Sequence, residues 1–212
     1  MSKPKYVLDR QFDKAVHEKS PLQMGLMLHE ALSARDTATA LRLVAQGAQL
    51  DIPDRFGDTP LLRALLVENS SVALALIAQG ADINAQSKAK MTPLIRAAHS
   101  GDVAVVKALI EKKAELDCKD HLDNTAVSIA AIHNREEIMA LLIAAGASLD
   151  DKNATGSTPV EHARTLGNYR IAEMLERAPA ERLQRQLESA SATTGKTPKF
   201  KRMEVLKPER KE

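Results

Sequence analysis

The sequence predicts an all-α solenoid of about five short helix-turn-helix units, and three observations carry that prediction. The first is composition. Of 212 residues, 44% are hydrophobic, 27% charged and 2% aromatic, with no Trp. A core built on large rings, as in most β-sandwiches, does not fit; Ala, Leu, Ile and Val favour closely packed helices, because Ala and Leu cost little side-chain entropy there. The second is a period of 33: Thr59, Thr92, Thr125 and Thr158 share one register, as do Ala31, Ala64, Ala97, Ala130 and Ala163, and Leu43, Leu76, Leu109, Leu142 and Leu175. A fixed period of this length is the mark of a repeat architecture. The third is punctuation: Pro60, Pro93 and Pro159 follow the threonines, with Ala126 the exception, and Gly47, Gly80 and Gly146 each precede Ala, with Lys113 breaking that register.

Each unit reads in the same order. Thr is the N-cap of a first helix, and Pro follows at the position whose amide has no helical partner. The fixed Ala lies where helices touch. Glu68-Asn69, Gly101-Asp102, Asn134-Arg135 and Gly167-Asn168 end the first helix. A second helix follows with apolar residues at helical spacing, such as Val105, Val106, Leu109 and Ile110. Gly-Ala ends it, Gly accepting the left-handed conformation, and Lys113 is expected to take that conformation in the one departure. A stretch such as Ala81-Asp82-Ile83-Asn84 leads through a projecting turn to the next Thr.

GDTPLLRALL and ALIAQGADINAQ resemble the ankyrin repeat, whose pattern runs D-x-x-G-x-T-P-L-H-x-A-A through L-L-x-x-G-A-x-x-N. The resemblance covers roughly residues 22 to 178. It implies an ankyrin-repeat solenoid with projecting β-turn hairpins, repeats at 22–54, 55–87, 88–120, 121–153 and 154–178, and a role in binding proteins. The chain departs from the pattern where Leu62, Ile95, Ser128 and Glu161 replace the histidine, and where Leu26-Met27 stands in the first unit for Thr-Pro.

A solenoid needs its ends covered. Leu8, Phe12 and Val16, at helical spacing, predict an N-terminal capping helix within 1–21. Pro179 replaces the expected glycine, so a C-terminal capping helix is expected over 179–190 with Leu183 and Leu187 on its apolar stripe. Residues 191–212 hold seven basic and three acidic residues, a net +4, and are expected to be disordered when unbound.

The whole chain carries +2, from 30 basic and 28 acidic residues, too balanced to argue for nucleic acid or an anionic membrane. No stretch suits a signal peptide or a membrane span. The lone Cys118 forms no internal disulfide and no paired-cysteine zinc site. The expected location is the cytoplasm, with export as an effector the alternative.

No catalytic constellation, cofactor motif or metal site stands out. Gly195-Lys196-Thr197 matches the end of a phosphate-binding loop, but Ala190 occupies the place of its required first glycine. The six histidines lack tight metal spacing; His99 and His133 can approach across adjacent repeats, although two separate solvated side chains are the simpler expectation. Cys118 reads as a small filler rather than a nucleophile. Asn69 and Asn153 begin glycosylation patterns, which matter only in a secreted protein.

Function is therefore sought on surfaces, at positions outside the stacking set. At the ends of first helices these are Ser33-Ala34, Leu66-Val67, His99-Ser100, Ile132-His133 and Thr165-Leu166. At the hairpin tips they are Arg55, Phe56 and Asp58; Lys88 and Met91; His121, Leu122 and Asn124; Thr155 and Ser157. Apolar residues on a groove with a polar rim mark a protein interface; the alternative is that Leu66 and Ile132 are partly covered by the neighbouring repeat. The expected function is a non-catalytic adaptor, inhibitor or immunity-type module, monomeric alone, that binds another protein along the concave groove and takes no small-molecule substrate. A translocated effector or regulatory subunit whose basic tail directs delivery or docking is the alternative. Nucleic-acid binding is disfavoured, because Phe200 is the one ring among the tail's cations.

Overall fold

A computed structural model describes residues 19–180. Of these, 19–176 fall in one compact unit and 177–180 in a second. The expected N-terminal capping helix, most of the expected C-terminal one, and the basic tail with Gly195-Lys196-Thr197 lie outside the described residues.

The first unit contains α1 (Pro21–Ser33), α2 (Thr37–Ala45), α3 (Pro60–Leu66), α4 (Ser70–Ala78), α5 (Pro93–Ser100), α6 (Val103–Glu111), α7 (Ala126–Ile132), α8 (Glu136–Ala145) and α9 (Pro159–Thr165). Residues 169–176 are also helical. Within the second unit 177–180 are helical too, so Pro179 does not start a helix there. No strand occurs among the described residues. Odd-numbered helices pack on one another from repeat to repeat, even-numbered ones likewise, and each odd helix packs on the even one that follows it through α8. The result is two layers of short helices.

The periodic residues make the core. Ala64, Ala97, Ala130 and Ala163 are fully buried between the layers, as are Leu43, Leu76, Leu109 and Leu142. Burying one Leu contributes roughly 1.5–3 kcal/mol, and the small Ala lets the layers approach closely enough for that burial to be complete. Leu62 and Ile95 are buried beside them, which explains why two repeats hold an aliphatic side chain where the family pattern has histidine.

Thr59, Thr92, Thr125 and Thr158 cap their helices as expected, each Oγ1 accepting from the amide three residues on. Ala126 after Thr125 leaves this cap intact. Glu161 returns the favour to Thr158: its carboxylate accepts from the Thr158 amide at 2.8 Å, a reciprocal capping box. The first unit starts differently. Ser20 caps α1, with Gln23 closing its own capping box, so α1 begins before the register of the other first helices. Gly25 sits on it where a Cβ would lie 2.5 Å from Ile52. The register also shows that the family histidine is kept once. His29 lies 33 before Leu62, and its Nε2 is 2.7 Å from the Ile52 carbonyl, tying the first helix to the loop that leads into the next repeat.

Left-handed turns recur at three registers. One separates the helices of a repeat (Arg35, Glu68, Gly101, Asn134, Gly167), one follows the second helix (Gly47, Gly80, Lys113, Gly146), and one lies at the tip (Gly57, Lys90, Asp123, Gly156). Lys113 has φ 64°, as its place in the glycine register requires.

Candidate protein-binding surface

The hairpin tips are built by a side-chain register that the Thr-Pro pattern alone does not reveal. Asp54 Oδ1 accepts from the amides of Phe56 and Asp58. Ser87, Asp120 and Asn153, each 33 further on, do the same for Ala89 and Met91, Leu122 and Asn124, and Thr155 and Ser157. A backbone bond closes each loop, from the amide of this residue to the carbonyl four residues later. Neighbouring tips are joined: the amides of Lys88, His121 and Ala154 donate to the carbonyls of Phe56, Ala89 and Leu122. A second set crosses between repeats below the tips, where Asp51, Asn84 and Asp117 accept from the amides of Asp82, Glu115 and Ser148.

On this frame Phe56 is 51% exposed, Leu122 51%, Leu166 54% and Leu66 43%. Arg55, Lys88, His99, His121 and His133 are also exposed, while Val67, Met91 and Ile132 are half-buried. Two expected contact residues are corrected. Asp58 and Asn124 are buried, 5% and 6% exposed, because their position follows the tip and turns back into the stack. Asn124 donates to Asp120 and accepts from Asn153, so its amide is spent inside the turns. Burial pushes the Asp58 carboxyl above its ordinary pKa, partly opposed by Arg96.

The Arg55 guanidinium lies 4.7 Å from the centre of the Phe56 ring. Both residues line a hollow with His29, Glu30, Ser33, Asp54 and Arg63. Arg63 fixes its floor: one nitrogen donates to Ser33 Oγ at 3.1 Å, and another is 3.8 Å from Asp54. Arg63 was not among the expected contact residues, although its period-mate Arg96 shows that this register carries a cation twice.

His99 and His133 do meet, against the simpler expectation of two separate side chains. Their ring centroids are 4.3 Å apart in an edge-to-face arrangement. Burial, His99 and the nearby Arg135 hold the His133 pKa below the usual imidazole value. Among the described residues no group of three or more His, Cys, Asp or Glu side chains is placed to hold a metal ion. Cys118 is half-buried, and burial together with its contact to Glu115 raises its pKa, the opposite of an activated thiolate. Asn69 and Asn153 spend their amide groups on Thr37 and on Asn124 and His162, bonds that a glycan on either would displace.

Short antiparallel helix pairs stacked in register, each with a hydrogen-bonded turn at its end, define a helical-repeat protein. The family model described as ankyrin repeats (three copies) matches residues 28–120 and 94–181, and the chain belongs to that family. Ankyrin repeats generally act as protein-protein interaction modules and are typically non-catalytic. No curated protein matches the chain. No helix among the described residues is long and apolar enough to cross a membrane.

Proposed function

We propose that the chain is an adaptor, inhibitor or immunity-type module that holds one partner protein along its hairpin tips and the ends of its first helices. The observation that supports this most is the exposure of Phe56, Leu66, Leu122 and Leu166 at registers free of stacking duty. In a solenoid, residues outside the stacking set are the ones available to a partner. Interface energy concentrates in a few large side chains, each contributing about 2 kcal/mol or more on truncation. Cytoplasmic location and a monomeric free state belong to this reading.

The test is the triple variant Phe56→Ala, Leu66→Ser, Ile132→Ser. A partner recovered with the intact chain and identified by mass spectrometry is expected to bind the variant about 100-fold or more weakly, while helicity is retained. Undiminished affinity of a folded triple variant refutes the site. Surface replacements shift stability by about 0.5 kcal/mol each, so a much larger loss identifies these residues as structural.

A further inference from the structure

On the surface formed by first helices and tips, the charged side chains of repeats two to four are mostly basic: Arg55, Lys88 and Lys90 are exposed and Arg63 and Arg96 half-buried, with Asp123 an exposed carboxylate among them. The first helices α3, α5 and α7, with their C-cap residues, hold Arg63, Arg96, His99 and His133 and no carboxylate. The second helices α4, α6 and α8, with theirs, hold Glu111, Glu136 and Glu137 against Lys107 and Lys112. The tips extend the positive side with exposed Arg55, Lys88 and Lys90.

Carboxylates are present on that side, but most are turned inward. Asp54 Oδ1 accepts two backbone amides and its other oxygen faces Arg63. Asp120 is buried on the amides of Leu122 and Asn124, and Asp58 is buried as well. Asp123, at the third tip, and Glu30 of α1, which lines the hollow with Arg55 and Phe56, are exposed exceptions. The cations at the tips keep outward reach: Arg55 lies over Phe56, and the Lys88 ammonium donates to the exposed carbonyl of Arg55. Between them stand the exposed apolar side chains Phe56, Leu66 and Leu122.

We propose that this face takes an acidic segment of the partner protein, with carboxylates against Arg55, Arg63, Lys88 and Arg96 and apolar side chains on Phe56, Leu66 and Leu122. The proposal rests on the protein-binding reading above and narrows it to a partner chemistry. Complementary charge speeds encounter and rejects partners of like sign. The chain's own segment 191–212 carries +4, the same sign as these cations, and so is not their charge complement. A nucleic-acid strand fits less well, because Phe56 is the one Phe, Tyr or Trp at these tips, whereas strand binding stacks several bases on several large rings.

The experiment uses the full chain and three fluorescein-labelled probes: a peptide of Glu and Leu, its counterpart of Lys and Leu, and an oligo(dT) strand. Anisotropy is read against two charge-reversal pairs, Arg63→Glu with Arg96→Glu, and Arg55→Glu with Lys88→Glu. The second pair keeps the test valid if loss of the Arg63 bonds to Ser33 and Asp54 unfolds the first. The acidic peptide is expected to bind, to weaken as salt rises, and to lose about 10-fold in affinity in each folded reversal pair. Equal binding of the Lys-Leu peptide, preference for oligo(dT), or failure of the acidic peptide to bind overturns the proposal. The triple variant separates the two readings. If a native partner is lost by Phe56→Ala, Leu66→Ser, Ile132→Ser but kept by both reversal pairs, the acidic-segment inference falls and the protein-binding surface stands; if all three variants keep it, both fall.

Discussion

The third and fourth repeats solve the same two backbone problems with opposite residues. In the third, Gly101 makes the left-handed turn between the helices, and Lys113 makes the one that ends the second helix. In the fourth, Asn134 makes the first and Gly146 the second. The following residue differs too. Asp102 caps α6, its carboxylate accepting from the Val105 amide, and it also receives the Ser70 hydroxyl from the repeat before. Arg135 occupies the same register and offers α8 no side-chain cap. Its guanidinium instead reaches back to the carbonyls of His99 and Ser100, at 3.1 and 3.2 Å, where the C-terminal end of α5 favours a cation. Both residues tie a repeat to its predecessor; Asp102 stabilises its own helix in addition, whereas Arg135 acts on its neighbour's.

The comparison accounts for glycine at 101. An added Cβ would lie 2.7 Å from the Arg135 guanidinium carbon, in a backbone with φ 85°. Gly101→Ala therefore combines left-handed strain with displacement of Arg135, and is expected to cost about 2 kcal/mol in denaturant melts. In an Arg135→Ala background the same change is expected to cost about 1 kcal/mol, because only the strain is left. Equal costs in both backgrounds would show that the repeats are not coupled through this pair.

The mirrored position gives the next effect in size. Lys113→Gly is expected to stabilise the protein by roughly 1 kcal/mol, because it removes the Cβ penalty that Gly146 avoids in the fourth repeat. A lower denaturation midpoint would mean that the lysine side chain contributes more than its backbone loses.

The smallest effect is a pH dependence at the contact between these repeats. His133 has its pKa depressed, by burial first and then by His99 and Arg135. On acidification the unfolded chain takes the proton first, so this group's stabilisation is complete above about pH 6.5 and is lost as pH falls through the folded value. Thermal melts at about pH 7.5 and pH 5.5 should show a smaller drop for His133→Gln than for the native chain. An identical drop would remove the histidine contact from the pH response.

The period made the stack legible in advance, since a residue repeated every 33 positions with the same size has one place to be. Thr125 without its proline still caps α7, because the hydroxyl supplies the cap and Pro supplies only preset backbone geometry. The turn positions were legible where glycine marked them. Arg35, Lys90 and Asp123 were not, since a left-handed residue with a full side chain carries no compositional sign. Asp58 and Asn124 looked exposed because they sit one residue before Thr in a polar tip; their burial depends on the Asp54 and Asp120 turns that fold them inward. Arg135 was read only as part of a helix break, since its partners are carbonyls 35 and 36 residues away, outside any local pattern. His29 was findable: counting back 33 from Leu62 reaches it.

The joined tips separate two kinds of opening motion. Most backbone amides of the stack bond within their own helix or loop, but those of Lys88, His121 and Ala154 bond the tip of the preceding repeat. A helix can fray without freeing them, and two repeats cannot part without doing so. Their exchange with deuterated solvent thus clocks the separation of neighbouring repeats, junction by junction, while the amides inside the helices clock local unwinding.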